Sequence, residues 1–467
     1  MKRHSFGQII MYLVALIFLG YHLLPVFSVL LAQINTPTKQ RAARQAIADN
    51  ATCQPSDATY PVLTYGNPMT ESLYRNVPYT DPASQSLVGE NLLPNPSFQT
   101  LADGWSQNSF GDNGTSFSLV PGHDGSPAAR VQMSRQKSGE AKWVSAAVDA
   151  APGQYFQLSH WYRSDSYTDI LLDVTQQDGN HNYILLGHGE PTGGQWKRLQ
   201  YDFVAPAFTS KIQVTHTLVD NGMLDTDNWK LVSQQLPRLQ RGLVTLTFDD
   251  GWKSIYTNGL PLFDKYDVKT SQFIVSDVLG DKAYMNAQQV QAFASRGHEI
   301  ASHTRLHEDL SRSDSRRILN TLAGSRAVLS QSYGWQVRNF ASPYGSVNNL
   351  SDSLIKQCYQ SHRGTDTGFN TASYDRYNLK VFNVSLTTKP EEISTAVRFA
   401  RDHKLWVIFV YHEVSDNNAS DYTANLKDLE KTLQILKEEQ VPVVTYQQGL
   451  SETVPQQEAY FTKVLGN

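Results

Sequence analysis

The sequence predicts an α/β barrel preceded by an all-β sandwich and an N-terminal transmembrane helix, and three observations carry that expectation. Ile9 to Ala32 is an almost continuous apolar run, Asn91 to about Leu236 shows short alternating runs broken by Gly, Asn, Asp and Pro, and from Gly242 onward apolar runs alternate with amphipathic helical stretches. At 467 residues the chain has room for about three units. Lys plus Arg number 40 against 44 for Asp plus Glu, a net charge of −4, so no basic excess is available for a phosphate backbone and nucleic acid is excluded as a first partner. A hydrophobic share of 40% with 11% aromatic excludes a largely disordered or fibrous chain. Cys53 and Cys358, the two cysteines of the sequence, are too few for a disulfide framework or a thiolate zinc cage.

The apolar run is long enough at 1.5 Å per residue to cross a hydrocarbon core of about 30 Å. It is longer than a usual signal-peptide core, and Leu30-Leu31-Ala32 lacks the first small residue of a cleavage site, so residues 1–35 are taken as an uncleaved signal anchor. Lys2 and Arg3 are opposed by Lys39, Arg41 and Arg44, which leaves its orientation open. Residues 36–88, rich in Ala, Thr, Pro, Ser, Asn and Gln without a sustained apolar period, are expected to form a stalk or linker.

Residues 89–238 are expected to form the antiparallel sandwich, from runs such as Tyr155 to Tyr162 and Ile170 to Val174. Trp105, Trp143, Trp161, Trp196 and Trp229 fall here, and each is more readily core than a platform for a sugar ring. The opening Asn91-Leu92-Leu93-Pro94-Asn95-Pro96-Ser97-Phe98, then Asp103-Gly104-Trp105, Gly194-Gln195-Trp196 and the closing Leu224-Asp225-Thr226-Asp227-Asn228-Trp229 resemble jelly-roll carbohydrate-binding modules. That resemblance implies a structural Ca²⁺ near Asp225 or Asp227.

Residues 239–455 carry the barrel pattern and 456–467 a C-terminal tail. The expected strands are Leu243 to Thr247, Ser271 to Ser276, His298 to Ser302, Asn339 to Ser342, Val381 to Val384, Trp406 to Tyr411 and Val441 to Tyr446. The expected helices are Ala287 to Arg296, Arg316 to Gln331, Ser351 to Gln360, Pro390 to His403 and Tyr422 to Gln440. Strict β/α alternation implies parallel strands closed, or nearly closed, into a barrel with its chemistry at the C-terminal strand ends.

Four of those strand ends carry chemistry-bearing residues. The first ends in Thr247-Phe248-Asp249-Asp250-Gly251, where adjacent carboxylates point in different directions, though Asp-Asp-Gly is also good turn chemistry. The third ends in His303-Thr304-Arg305-Leu306-His307, and if a helical turn begins there both imidazoles share one face, suited to a divalent ion. Phe340-Ala341-Ser342-Pro343-Tyr344-Gly345 marks a strand-to-loop junction where a backbone N–H could face an oxyanion. The strand Trp406 to Tyr411 delivers His412 to the same mouth. Cys358 reads as a buried small hydrophobe, and His298 and Glu299 as packing residues or supports of the histidine motif.

Residues 242 to about 450 resemble the polysaccharide deacetylases of carbohydrate esterase family 4 in these ordered motifs: TFDDG, H-(S/T)-x-x-H, a Pro-Tyr loop and a late strand ending in His. The resemblance implies a distorted (β/α) barrel in which Asp250, His303 and His307 ligate one divalent metal, commonly Zn²⁺. It implies Asp249 as general base, His412 as general acid and the Tyr344 N–H, following Pro343, as an oxyanion donor. Two features depart from the family. The position two residues before Pro343, usually an Arg that orients the base, is Ala341, and the fourth motif is replaced by Arg363-Gly364-Thr365-Asp366-Thr367-Gly368-Phe369-Asn370. Arg363 or Asp366 is the candidate to supply the missing contacts to Asp249 or His412.

The expectation is a membrane-anchored, single-pass, extracytoplasmic, metal-dependent deacetylase of an N-acetylhexosamine polysaccharide such as poly-N-acetylglucosamine, peptidoglycan or a chitin-like polymer. Its partners are the acetylated polysaccharide and, through the N-terminal helix, a membrane. The alternatives are an O-acetyl esterase on a glycan and a catalytically silent glycan-binding protein.

Overall fold

The computed structural model describes residues 37–53, 87–100, 103–417 and 420–465. The alternating runs in the first half form antiparallel strands, in chain order β1 (Trp105–Phe110), β2 (Gly114–Pro121), β3 (Pro127–Ser134), β4 (Glu140–Ser145), β5 (Val148–Asp149) and β6 (Tyr155–Ser164). They continue as β7 (Thr168–Gln176), β8 (His181–Gly189), β9 (Lys197–Val204), β10 (Thr209–Leu218) and β11 (Gly222–Gln234). One sheet has the order β1-β4-β10-β7-β8, with β5 pairing β10, and the other the order β2-β3-β11-β6-β9. Phe98, Trp105, Trp143, Phe156 and Trp229 share one buried apolar cluster, so three of the five tryptophans are core. Trp161 and Trp196 instead remain half-buried beside His123, whose ring stacks on Trp161 at 3.6 Å.

The sandwich also buries an imidazole relay. Thr168 Oγ1 donates to the Gly189 carbonyl at 3.2 Å and lies 2.6 Å from His216 Nε2, so it accepts a hydrogen bond from the His216 Nε2–H. His216 Nδ1 is then the acceptor for His160 Nε2–H at 2.8 Å, and both rings are neutral. His160 stacks on Trp229 at 3.9 Å with only 7° between the planes. Burial pushes the His216 imidazole down to about 3, and burial with the neighbouring His216 and Arg198 pushes His160 well below its ordinary value.

The second half alternates strand and helix: β12 (Leu243–Phe248), α2 (Leu260–Tyr266), β13 (Ser271–Ile274), α3 (Ala287–Ala294), β14 (Glu299–Ser302) and α4 (Ser315–Ala327). Then come β15 (Asn339–Ala341), α5 (Asn349–Cys358), β16 (Ser361–Thr367), β17 (Leu379–Asn383), α6 (Pro390–His403), β18 (Trp406–Tyr411), α7 (Leu426–Glu438) and α8 (Tyr446–Leu465). The seven strands β12 to β18 form a closed barrel, parallel throughout, and β18 pairs with β12 from Leu243↔Trp406 to Phe248↔Tyr411. Alternation along β18 explains the two layers of core. Trp406, Ile408 and Val410 cluster with Phe273, Ala341 and Val381, whereas Val407, Phe409 and Tyr411 pack with residues of the surrounding helices. Tyr446 at the start of α8 joins the former cluster, and the approach is so close that a Cβ on Gly449 would lie 2.4 Å from the Trp406 ring.

The structure corrects the sequence expectation at four points. Val441 to Tyr446 is not a barrel strand: β12 and β13 pair only at Thr247↔Ser271 and Phe248↔Gln272, and Val443 makes a single bridge to Val244 before α8 begins. The seventh strand is instead β16, whose polar sequence hides it; Ser361 bonds Asn339 at 2.8 Å and His362 bonds the Tyr377 carbonyl and Ser342 at 2.9 and 3.0 Å. Residues expected as linker form a helix, α1 (Pro37–Asp49), and Cys53 is disulfide-bonded to Cys358, which is therefore not a free thiol.

The fourth correction concerns the membrane. Among the described residues no helix is long and apolar enough to cross one, so neither the transmembrane part of the expected fold class nor the membrane-anchored localisation stands; the apolar run itself lies outside the described residues.

A histidine whose folded pKa is depressed favours the neutral form, so its stabilisation is complete above the unfolded value and is lost as pH falls through the folded one. For His216 that window runs from about 6.5 down to about 3. Thermal unfolding followed by tryptophan fluorescence is expected to show the sandwich losing on the order of 3 kcal/mol between pH 6.5 and 4. A His160→Gln, His216→Gln variant that keeps the same acid sensitivity would remove this relay as its source.

Candidate active site

Barrel closure brings the chemistry of separate strands to one mouth. Asp249 and Asp250 follow β12, and the Asp249 N–H donates to the Tyr411 carbonyl at 2.9 Å, which sets the carboxylate pair beside His412 at the end of β18. His303 and His307 follow β14, their ring centroids 5.1 Å apart. The loop between them is not a helical turn: Thr304 and His307 are left-handed, with φ of 67° and 62°, and these two bends rather than an i, i+4 helical spacing bring the imidazoles together. Asp250 (φ 69°) and Tyr344 (φ 60°) are left-handed as well, which concentrates unfavourable backbone conformations at this mouth.

Asp250, His303 and His307 each offer one ligand atom, and these atoms lie within 4.8 Å of one another. Asp250 Oδ1 is 3.2 Å from His307 Nε2 and 3.5 Å from His303 Nε2, yet it is buried and makes no hydrogen bond. His303 Nδ1 donates to the Ala341 carbonyl at 2.8 Å, which leaves Nε2 of the neutral ring as a lone pair aimed at that carboxylate. The Asp250 carboxylate draws positive charge onto His307 while His303 faces it with a lone pair, and a divalent cation would serve all three, because a His₂-carboxylate donor set fits one. Burial pushes the His303 imidazole down despite the carboxylates of Asp249 and Asp250. Burial would raise Asp250, but His307, His303 and His412 hold it well below the usual carboxylate range. For His307 the same burial is outweighed by Asp250 and Asp249, and its pKa rises.

Sequence reasoning missed two supports of this cluster. Trp252 Nε1 donates to Asp250 Oδ2 at 2.9 Å, and its ring stacks on Tyr284 at 4.8 Å. The Tyr344 hydroxyl lies 2.9 Å from His307 Nδ1, a side-chain contact on a residue singled out for its backbone. The Trp immediately after Asp-Asp-Gly was the available signal for the first; nothing in the sequence marked the second.

Arg363 lies fully buried on β16 and its guanidinium donates to Asp249 Oδ1 while resting over the Phe273 ring, 4.4 Å from its centroid. It is the register partner of Ala341 on β15, so the cation occupies the strand next to the position where the family pattern has its Arg, and the small Ala341 leaves room for it. Asp366 is not brought to His412; it pairs with Lys380 at 2.9 Å. His412 Nδ1 is buried without a hydrogen-bond partner, and its ring packs 5.1 Å from Tyr422. Pro343 is buried at the start of the turn that carries Tyr344.

The expected Ca²⁺ finds no fit in the sandwich. Asp225 accepts from Arg130 Nε at 2.6 Å and Arg163 Nη2 at 2.7 Å, and Asp227 accepts the His123 and Asn228 N–H groups at 2.9 and 2.7 Å. Two guanidinium cations already neutralise Asp225, and backbone donors occupy Asp227. Glu299 and His298 hold strand starts instead of touching the mouth: Glu299 accepts from Ser271 and Asn339, and His298 Nδ1 accepts from the Thr270 N–H.

The chain is similar to known proteins over its second half. Residues 237–360 match the model of the polysaccharide deacetylase family. A bifunctional xylanase/deacetylase of Pseudobutyrivibrio xylanivorans is 33% identical over 230 residues, 47% of this chain and 36% of that protein. A peptidoglycan-N-acetylglucosamine deacetylase of Listeria monocytogenes is 29% identical over 106 residues, 22% of each chain. The chain thus spans about a third or less of the length of these two curated relatives. Among solved structures, the Xyl-CE4 domain of a multidomain xylanase from the hindgut metagenome of Trinervitermes trinervoides is 22% identical, covering 45% of this chain and 91% of that one at a TM-score of 0.35.

Two measurements check the site. Zn²⁺ titration of the chain is expected to show one equivalent bound, lost in His303→Ala and in His307→Ala but retained in Asp225→Asn; binding that survives both histidine changes would place the ion elsewhere. Arg363→Met leaves a buried carboxylate unpaired and is expected to cost about 3–5 kcal/mol in denaturant unfolding. A loss under about 1 kcal/mol would show that Asp249 is solvated enough to do without it.

Proposed function

We propose that this chain, which carries a polysaccharide deacetylase domain at residues 237–360, hydrolyses N-acetyl groups from an N-acetylhexosamine polysaccharide with the help of one divalent metal, zinc. The observation that supports it most is the convergence of Asp250, His303 and His307 on one point beside Asp249 and His412. An amide is a poor electrophile with a poor leaving group, so its hydrolysis needs a polarised carbonyl, an activated water and a protonated nitrogen.

Asp250, His303 and His307 would hold the metal, whose charge would polarise the acyl carbonyl and acidify water. Asp249 takes the proton from the attacking water. Its side chain is fixed for that task by Arg363, which leaves Oδ2 on the side of His303, 3.9 Å from Nε2. The Tyr344 N–H donates to the oxygen that becomes negative, and His412 protonates the departing amine. A departing amine needs that proton far more than a departing alkoxide does, so a third imidazole, His412 at the end of the strand next to that of Asp249, favours an amide over an ester substrate. The relative named for peptidoglycan-N-acetylglucosamine supports the same class.

Acetate release from N-acetylglucosamine oligomers, with Zn²⁺ or a chelator present, tests the proposal. The expected result is metal-dependent release that falls by at least about 1,000-fold in Asp249→Asn and about 100-fold in His412→Ala. Release from O-acetylated xylan alone would identify an ester as the substrate, and glycan binding without release from either would identify a silent binding protein.

A further inference from the structure

The segment ahead of the sandwich returns to the barrel and reaches the loop that carries the two histidines. Arg305 stands between His303 and His307 in that loop, and its side chain is buried. Its Nε and Nη2 donate to Asp277 Oδ2 at 3.0 and 2.6 Å, its Nη1 to Asn320 Oδ1 at 2.6 Å, and its Nη2 also to Gln45 Oε1 at 2.7 Å. Gln45 belongs to α1, about 260 residues earlier in the chain. Its neighbour Arg44, only 4% exposed, donates to the backbone carbonyls of Asp277 and Leu279 at 3.2 and 3.1 Å. Asp277 in turn donates its N–H to the Arg305 carbonyl at 2.9 Å, and Ser276 does the same for Thr304 at 3.1 Å. The histidine loop is therefore tied to the 276–279 turn, and α1 is tied to both.

Packing and covalent bonding hold α1 against this network. Ile47 and Ala48 cluster with Ala327 and Val328 at the end of α4. A Cβ on Gly324 would lie 2.9 Å from both Ala48 Cβ and Arg305 Cδ, so helix, loop and α4 meet at a glycine. Four residues after α1, Cys53 is bonded to Cys358, the last residue of α5, closing a loop of 305 residues.

We propose that α1, clamped by the Cys53–Cys358 disulfide, is a brace for the metal site, with Arg305 and Gln45 acting as positioning residues that hold His303 and His307 at the separation one divalent ion requires. The inference rests on the metal reading of Asp250, His303 and His307. Neither Gln45 nor the cysteines touch the ligand atoms; they act through Arg305 on the two left-handed bends that flank it. Oxidation of the cysteine pair, two thiols giving one disulfide with two electrons and two protons passed to an external disulfide or other oxidant, thereby sets metal affinity.

The test uses the 467-residue chain as wild type, Gln45→Ala, Gln45→Glu and Cys53→Ser with Cys358→Ser, with Zn²⁺ affinity measured by chelator competition and kcat and KM from acetate release. Expected are about tenfold weaker Zn²⁺ binding in Gln45→Ala and in the double serine variant, with recovery in Gln45→Glu, whose carboxylate still accepts from Arg305. At limiting metal, kcat falls with KM unchanged. Zn²⁺ affinity within about twofold of wild type in folded Gln45→Ala overturns the brace, whatever happens to the melting temperature, and this arm decides alone if the double serine variant does not fold. A wild type that binds no divalent ion overturns the metal reading itself, a different result from equal binding across the series.

Discussion

The buried pair of Arg363 and Asp249 is the constraint around which the barrel interior is arranged. Asp249 is 3% exposed, and an unpaired carboxylate at such a site costs several kcal/mol. Arg363 supplies the countercharge, but a fully buried guanidinium must itself be accommodated. The Phe273 ring face takes one side of it, Asp249 takes one nitrogen, and the space comes from Ala341, its register partner. An arginine at 341 and another at 363 would place two cations side by side in one barrel core, so the small residue in β15 and the large one in β16 belong to a single solution. On the other side of β15, its register with β14 at Ser302↔Phe340 lets the Ala341 carbonyl receive His303 Nδ1–H, so one short strand serves both the Arg363–Asp249 pair and a candidate ligand.

That coupling explains what was legible in the sequence and what was not. The apolar strands announced themselves: Trp406 to Tyr411 and the helix Pro390 to His403 occur with the boundaries expected, because each reads clearly as buried run or amphipathic period. β16 was invisible because Ser361, His362 and Arg363 are buried by virtue of partners that only the closed barrel provides, and a polar run without those partners reads as a loop. The convergence of Asp249, Asp250, His303, His307 and His412 could be anticipated from strand ends alone. The His307 contact to the Tyr344 hydroxyl could not, since a hydrogen bond between two loops depends on backbone bends no local pattern encodes.

The same limit applies to chain ends and domain edges. Composition made residues 36–88 look like a linker, yet 37–53 dock on the barrel, because Ile47, Ala48, the hydrogen bonds of Arg44 and Gln45 and one disulfide give a short helix a partner surface. The sandwich is fixed to the barrel in a comparable way. Its edge strand β8 offers the Leu186 carbonyl to Lys380 Nζ at 3.0 Å while the same ammonium pairs with Asp366 of β16, and Gly153 comes so close to His403 that a Cβ there would lie 2.2 Å from the imidazole. Asp366 therefore serves the junction between sandwich and barrel, and an edge strand that would otherwise present free carbonyls is covered.

Strain at the mouth gives these outlying contacts their purpose. Asp250, Thr304, His307 and Tyr344 are four of the twelve non-glycine residues with positive φ among the described residues, and each such conformation costs on the order of 1 kcal/mol. A loop holding two of them relaxes unless its neighbours over-determine it. Here Thr304 and Arg305 are bonded through their carbonyls to Ser276 and Asp277, Arg305 through its N–H to Thr321, and Leu306 through its N–H to Glu308, which also accepts from Thr321. Strain of this kind brings His303 Nε2 and His307 Nε2 to the same carboxylate oxygen, where the His303 lone pair faces negative charge and a bound cation would satisfy both. The network beneath the loop, extending to α1, therefore holds these three side chains in place on its own, and for the proposed metal that pre-organisation would lower the cost of binding.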